Sequence, residues 1–178
     1  MLWRLENNKE NYSRYEKEIV ELADRIKILE EEKPDYLTVA FDVKAPTFRH
    51  EMYAEYKGTR KPADDELKIQ FPIVREYLDA MNISRYEQEG IEADDIIGSM
   101  VKKYPDWQIN VLSSDKDLLQ LIDETTSVWL MKKGLSEIEE MDIEALYARY
   151  QLAPKQIIDL KGLMGDASDN IPGIPKVG

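Results

Sequence analysis

Ile109-Asn110-Val111-Leu112-Ser113-Ser114-Asp115-Lys116-Asp117 is a short apolar run that breaks off into hydroxyls and acids. Its first four residues read as a β-strand, and its end places two carboxylates, separated by one residue, just beyond the strand. Tyr36-Leu37-Thr38-Val39-Ala40-Phe41 stops in the same way at Asp42. That run is too continuously apolar for a strand with one wet face, so it is expected to be covered on both sides. Val128-Trp129-Leu130-Met131 reads as a third strand. Around these strands apolar residues recur at helical spacing. Ile19, Leu22, Ala23, Ile26 and Leu29 predict a helix over 15–33, stopped by Pro34. Further helices are predicted over 69–81 and 93–103, and at about 117–122, 142–150 and 154–164. The alternation predicts an α/β fold, a parallel-type sheet flanked by helices. Trp129, Met131, the leucines among 118–121, Tyr147 and Tyr150 are expected to pack in its interior.

The chain has 178 residues, enough for one main domain with a real core. With 43% hydrophobic and 34% charged residues, 8 Gly and 8 Pro, it is neither low-complexity nor collagen-like nor wholly disordered. It contains no cysteine and a single histidine, His50. Disulfide scaffolds, thiolate zinc sites, cysteine nucleophiles and multi-histidine metal centres are therefore excluded, and any metal must sit on oxygen. No signal-peptide core or run of 18 apolar residues is present, so a cytoplasmic chain without membrane contact is expected.

The net charge of -12 argues at first sight against a nucleic-acid partner, because phosphate binding relies on lysine and arginine. The distribution of the acids argues otherwise. Asp42, Glu92, Asp94, Asp95, Asp115, Asp117, Asp166 and Asp169 fall in four short clusters and equal two thirds of that excess. Open parallel sheets place ligands beyond the carboxyl ends of their strands, where Asp42 and Asp115 lie. Taken singly, each cluster is explained as well by helix capping, the helix macrodipole or turn formation. Taken together, they are not. Two carboxylates about 5 Å apart repel by about 3 kcal/mol at an effective dielectric near 20, so a convergent set needs cations. Oxygen-only ligands favour Mg²⁺, with Mn²⁺ also suitable and Ca²⁺ able to occupy such a site. The loop signature of an EF-hand is missing.

Phe41-Asp42, Phe48-Arg49-His50-Glu51, Tyr56-Lys57-Gly58-Thr59-Arg60, Glu89-Gly90-Ile91-Glu92-Ala93-Asp94-Asp95, Ser114-Asp115-Lys116-Asp117 and Gly165-Asp166-Ala167-Ser168-Asp169-Asn170-Ile171-Pro172-Gly173 occur in this order. In order and spacing they resemble the 5′ nuclease domain of bacterial DNA polymerase I, from about Leu22 to Gly178. The resemblance implies a PIN-like 5′ nuclease fold and a metal-dependent 5′ to 3′ exonuclease and 5′-flap endonuclease acting on DNA through two Mg²⁺ ions. Asp42, Glu92 and Asp94 match ligands of a first metal, with Asp94 bridging. Asp115, Asp117 and Asp169 match ligands of a second, with Asp166 and Asp95 acting directly or through water. The metals would activate a water and stabilise charge on the phosphate, leaving a 5′-phosphate and a 3′-hydroxyl.

Arg49, Lys57, Arg60 and Lys61, interleaved with Tyr53 and Tyr56, form a basic patch in an acidic chain, suited to phosphate contact and base stacking. By resemblance this segment opens an arch at about 49–68, in which Lys57 and Arg60 hold or polarise the scissile phosphate and Tyr56 stacks on a base. His50 reads as a polar surface group. Gly173, Lys176 and Gly178 belong to a stretch that resembles the hairpin of a helix-hairpin-helix element, which grips duplex phosphates through backbone amides. The family begins with a strand that ends in aspartate. Residues 1–21 contain no such run, so the resemblance predicts a divergent segment over 1–21, a nuclease domain over 22–164 and an incomplete hairpin element over 165–178. It also predicts one first-metal ligand and one central strand fewer than the family has, in a monomeric chain truncated at both ends. Three alternatives stand beside the nuclease: a remnant that binds DNA or metal without cutting, a related ribonuclease, and a fragment that does not fold.

Overall fold

The computed structural model describes residues 32–62, 64–132 and 137–177. The helix expected over 15–33 falls almost wholly outside them, as do the segment 1–21 and Gly178. The elements run β1 (Thr38–Ala40), α1 (Phe48–Met52), α2 (Asp65–Ala80), β2 (Ser84–Tyr86), α3 (Ala93–Lys103) and β3 (Ile109–Ser113). A 3₁₀ helix (Lys116–Leu121), β4 (Thr126–Met131), β5 (Ile138–Met141), α4 (Ile143–Tyr150), α5 (Gln156–Met164), β6 (Gly165–Asp166) and β7 (Ile171–Pro172) follow. The fold is α/β, as the alternation predicts.

Among the described residues the strands form three separate sheets. β1 and β2 pair in parallel with Thr38 opposite Ser84. β3 and β4 pair in parallel with Ile109 opposite Thr126, and β5 adds to β4 in the antiparallel sense with Val128 opposite Met141. β6 and β7 make a two-residue antiparallel hairpin. The apolar centre gathers on the β3–β4–β5 sheet. Val111, Val128, Leu130 and Met141 meet Leu118, Leu119 and Ile122 around the 3₁₀ helix, with Val101, Leu146 and Ile157 from the three flanking helices. β4 alternates between buried Thr126, Val128 and Leu130 and half-buried Ser127, Trp129 and Met131, as a central strand covered on both faces should.

α3 links the two larger sheets. Its first turn is acidic, which favours the positive end of the helix dipole. Asp95 accepts a hydrogen bond from the amide of Glu92 at 3.0 Å, and Asp42, just after β1, accepts one from Ala93 at 2.7 Å. The carboxylate at the end of β1 is thereby fastened to the start of α3. At the far end, the stacked rings of Tyr36, Trp107 and Tyr104 join the approach to β1 with the turn after α3.

Several expectations are corrected. The run 36–41 yields only a three-residue strand, with Tyr36 76% exposed and Val39 and Ala40 only half-buried. Its apolar composition reads as full burial, yet its only ladder partner among the described residues is β2. The parallel pairing expected of the sheet is present in β1–β2 and β3–β4, divided over two sheets, with antiparallel pairs added at β4–β5 and β6–β7. α2 begins at Asp65 rather than Ile69, because Asp65-Glu66-Leu67-Lys68 suits a first helical turn. The helix at 117–122 is of the tighter 3₁₀ type. Tyr147 is 63% exposed, on the side of α4 away from buried Leu146, whereas Tyr150 packs on the core. Trp129 and Met131 are half-buried, since they occupy the second face of β4.

The acid-bearing loop 165–173 is a tight hairpin. Gly165 has φ +74°, and a Cβ at Gly173 would lie 2.0 Å from the carbonyl oxygen of Met164. Only glycine at both positions allows the hairpin to close against the end of α5. No described helix is long and apolar enough to cross a membrane.

Candidate metal centre and nucleic-acid interface

The segment 53–60 is a series of tight turns and docks on the 165–172 hairpin through its backbone. The amide of Lys57 donates to the carbonyl of Asp169 at 2.9 Å, Arg60 Nε to the carbonyl of Ser168 at 3.1 Å, and Asn170 Nδ2 to the carbonyl of Glu55 at 2.8 Å. This docking carries Tyr56, Lys57 and Arg60 onto carboxylates far away in sequence. Lys57 Nζ donates to Glu92 Oε1 at 2.6 Å, and Arg60 pairs with Asp169. Arg49, from α1, grips Asp95 with both terminal nitrogens at 2.7 and 2.8 Å and lies 3.5 Å from Glu92 Oε2.

Tyr56 is 5% exposed, and its hydroxyl lies 2.9 Å from Glu92 Oε2 and 3.0 Å from Asp169 Oδ2. A phenol has one proton and can satisfy only one of these carboxylates at a time. Burial, with Glu92 and Asp169 beside it, pushes the Tyr56 hydroxyl well above the ordinary tyrosine range, so it stays protonated. The base-stacking role expected of Tyr56 is therefore corrected. Its ring is enclosed, with His50 edge-on at 5.2 Å, and its polar end braces two acids. His50 is half-buried rather than a surface group, because its Nδ1 accepts a hydrogen bond from the amide of Thr47 at 3.1 Å and caps α1.

Asp94, on the first turn of α3, makes no hydrogen bond among the described residues. Its carboxyl is pushed up to about 6, first by burial and then by the charges of Asp115, Asp42 and Glu92. Four acids from three segments thus act on one another electrostatically. Geometrically they stop short: among the described residues no three acidic side chains lie close enough to ligate one ion. Of the four, Glu92 is the one paired with cations among the described residues, Lys57 and Arg49.

Lys161, in the last turn of α5, lies 2.6 Å from Asp117 Oδ1 and 2.7 Å from Asp166 Oδ2. Burial pushes the Asp117 carboxyl up, and Lys161 offsets this only in part. Asp117 Oδ1 is buried and has no hydrogen bond of proper geometry, even with Lys161 alongside. Asp166 is the opposite case. Burial alone would raise it, but Lys161 and the amide and hydroxyl of Ser168 hold it well below the usual carboxylate range. Its Oδ1 accepts from Ser168 N at 2.8 Å and from Ser168 Oγ at 2.6 Å. Asp115 caps the 3₁₀ helix by accepting from the amide of Asp117 at 2.8 Å. A buried Asp117 oxygen neutralised by an ammonium but given no well-aligned hydrogen bond, an Asp94 without a hydrogen bond among the described residues and an all-oxygen donor set fit a hard divalent cation.

The structure therefore brings Arg49, Tyr56, Lys57 and Arg60 together with Glu92, Asp95 and Asp169. Asp117 and Asp166 form a second group around Lys161. Asp42 and Asp115 face Asp94 from the ends of β1 and β3. Lys61 and Lys176 are exposed and make no ion pair among the described residues, and Gly173 is held in the hairpin. Lys161 was not identified from sequence. The available signal was its position five residues before Asp166, which an ordinary cation at a helix C-terminus shares.

A family model described as the 5′-3′ exonuclease, N-terminal resolvase-like domain matches residues 16–151. DNA polymerase I of Bacillus subtilis is 50% identical over 155 residues, which are 86% of this chain and 18% of the polymerase. A 5′-3′ exonuclease of Mycoplasma pneumoniae is 44% identical over 154 residues, 85% of this chain and 53% of that protein. The chain thus spans about a fifth of the polymerase and about half of the exonuclease. In three dimensions it is similar to the D15 protein of bacteriophage T5, co-crystallised with metal ions, with a TM-score of 0.71 at 24% identity. That match covers 88% of this chain and 62% of the phage protein, and it establishes the fold. With three quarters of its length matched by the family model, the chain belongs to the 5′-3′ exonuclease family and carries its N-terminal, resolvase-like domain.

Proposed function

We propose that this chain is a metal-dependent 5′ to 3′ exonuclease and 5′-flap endonuclease that hydrolyses DNA phosphodiesters at a two-metal carboxylate site, with Mg²⁺ as the expected ion and Mn²⁺ an effective substitute. The observation that carries this reading is the docking of Arg49, Lys57 and Arg60 on Glu92, Asp95 and Asp169. Groups suited to phosphate and groups suited to metal are one hydrogen bond apart. Asp42, Glu92 and Asp94 would hold one ion, with Asp94 shared, and Asp115, Asp117, Asp166 and Asp169 the other. Bound ions would supply a water of lowered pKa and neutralise charge on the phosphate. The chain's own residues do the remaining work. Lys57 and Arg60, which pair with Glu92 and Asp169 beside the site, would turn to grip the scissile phosphate. Tyr56, kept protonated, stands between the two carboxylates and donates its proton to one of them at a time. Asp95, saturated by Arg49 and the Glu92 amide, positions the start of α3. Lys61, Lys176 and the hairpin glycines contact the DNA backbone away from the reacting bond. Residues 22–164 form the nuclease domain in this reading, and 165–178 begin the duplex-gripping element. The phage protein of this fold has been crystallised with DNA and metal ions, which supports the choice of substrate and cofactor.

Residues 1–21, which hold no β-rich run ending in aspartate to supply the remaining first-metal ligand, favour a second reading, a chain that binds DNA or metal without cutting. Cleavage of an end-labelled 5′-flap DNA separates the two. The nuclease reading predicts Mg²⁺- or Mn²⁺-dependent cutting near the flap junction, lost with chelator and in Asp117→Asn. A folded chain that binds the flap but leaves it intact sinks it.

A further inference from the structure

Lys161 differs from the other cations of the site. Arg49, Lys57 and Arg60 come from the basic segment that would meet DNA, whereas Lys161 comes from α5 and faces only the pair Asp117 and Asp166. We infer that Lys161 is the resident counter-ion of this carboxylate pair and that a divalent ion enters there only by displacing it, so that Lys161 sets the metal affinity of this half of the site. The inference rests on the metal reading above and adds a residue that competes with the ion.

Three observations support it. One ammonium spans both carboxylates at 2.6 and 2.7 Å, and so occupies the position a bridging cation would take. The two acids are unequally supported. Asp166 keeps Ser168 and the Asp169 amide when the lysine leaves, so it remains in place. Asp117 Oδ1 keeps nothing and is buried, so its charge draws in a replacement. Finally, the Lys161 side chain is 37% exposed, which gives the ammonium a short path to water on a flexible four-carbon stem. Metal binding is then an exchange of one cation for another, and the apparent affinity is reduced by the fraction of molecules in which the lysine is out.

The test is Mn²⁺ binding to the full chain, followed by calorimetry and by the spin resonance of free Mn²⁺, for wild type, Lys161→Met, Lys161→Arg and Asp117→Asn. Methionine keeps the length of the side chain and removes its charge. If the lysine is out in about one molecule in ten, Lys161→Met binds one Mn²⁺ about tenfold tighter. Lys161→Arg, which keeps a cation, stays near wild type, and Asp117→Asn loses that ion. Because Lys161→Met leaves two acids facing each other, its melting temperature is measured as well. A lower value without metal and a larger rise with Mn²⁺ than in wild type support the exchange. Equal or weaker Mn²⁺ binding by a folded Lys161→Met, with wild type binding normally, overturns the role of Lys161 alone. No Mn²⁺ uptake by any variant overturns the metal reading and this inference with it.

Discussion

The β3–β4–β5 half of the molecule and the seam between α1, α3 and the β6–β7 hairpin are held together by opposite means. In the first, Val128, Leu130, Met141, Leu118, Leu119 and Leu146 exclude water almost completely, and their contacts are non-directional and insensitive to ions. In the second, Arg49, Tyr56, Lys57, Arg60 and Lys161 are set against Glu92, Asp95, Asp117, Asp166 and Asp169. Half-buried ion pairs of this kind gain little net free energy once desolvation is counted. They have a different virtue: each can be exchanged for another ion without unpacking a core. The apolar half fixes where β3 and the 3₁₀ helix end, and so where Asp115 and Asp117 stand. In the proposed function, the charged half then changes partners when metal or phosphate arrives.

Mutations can break this contrast. The largest effect is expected in the apolar half: Leu146→Ala, at a side chain with 0% exposure, should cost about 2–5 kcal/mol through lost contacts and an unfilled cavity. Thermal or urea unfolding measures it, and the loss should be the same with and without Mn²⁺. Tyr56→Phe comes next. It removes the hydroxyl that lies between Glu92 and Asp169, a hydrogen bond to a charged group worth about 1.5–3 kcal/mol. Here the loss should shrink when Mn²⁺ is added, because ions take over the neutralisation of both acids; a loss unchanged by Mn²⁺ would show that the seam is structural after all. The smallest effect is expected from Lys116→Ala. Lys116 lies between Asp115 and Asp117 yet is exposed and makes no ion pair among the described residues, so the change should stay within about 0.5 kcal/mol. It should also leave Mn²⁺ affinity near wild type, in contrast to Lys161→Met.

The contrast also explains what was legible in the sequence. α3 appears over the residues its spacing predicts, because its cap, its apolar stripe and its acidic first turn are all local signals. β4 was readable for the same reason. β5, Ile138-Glu139-Glu140-Met141, was not, since two adjacent acids hide a strand whose register is fixed only by β4. β2, Ser84-Arg85-Tyr86, is equally short, and only its pairing with β1 marks it as a strand. In the site, the acids were found because four clusters with one chemistry stand out in a chain of this length. What they touch was not, because each partner is remote in sequence. Tyr56 meets Glu92 and Asp169 at separations of 36 and 113 residues. An aromatic ring in a basic stretch reads as a stacking platform until those two contacts enclose it. Lys161 escaped notice likewise, since its pairing with Asp117 exists only after α5 packs beside the 3₁₀ helix.

In the proposed function, the paired charges of the seam are a divalent-metal site held shut by the chain's own cations. The measurement that tests it most directly is a calorimetric Mn²⁺ titration of the wild-type chain beside Asp94→Asn, at a pH where Asp94, whose carboxyl is pushed up to about 6, is ionised. The account predicts saturable uptake of two ions by wild type, weakened for both in Asp94→Asn because Asp94 is shared between them. Uptake that never saturates, or two ions bound equally well by Asp94→Asn, would contradict it.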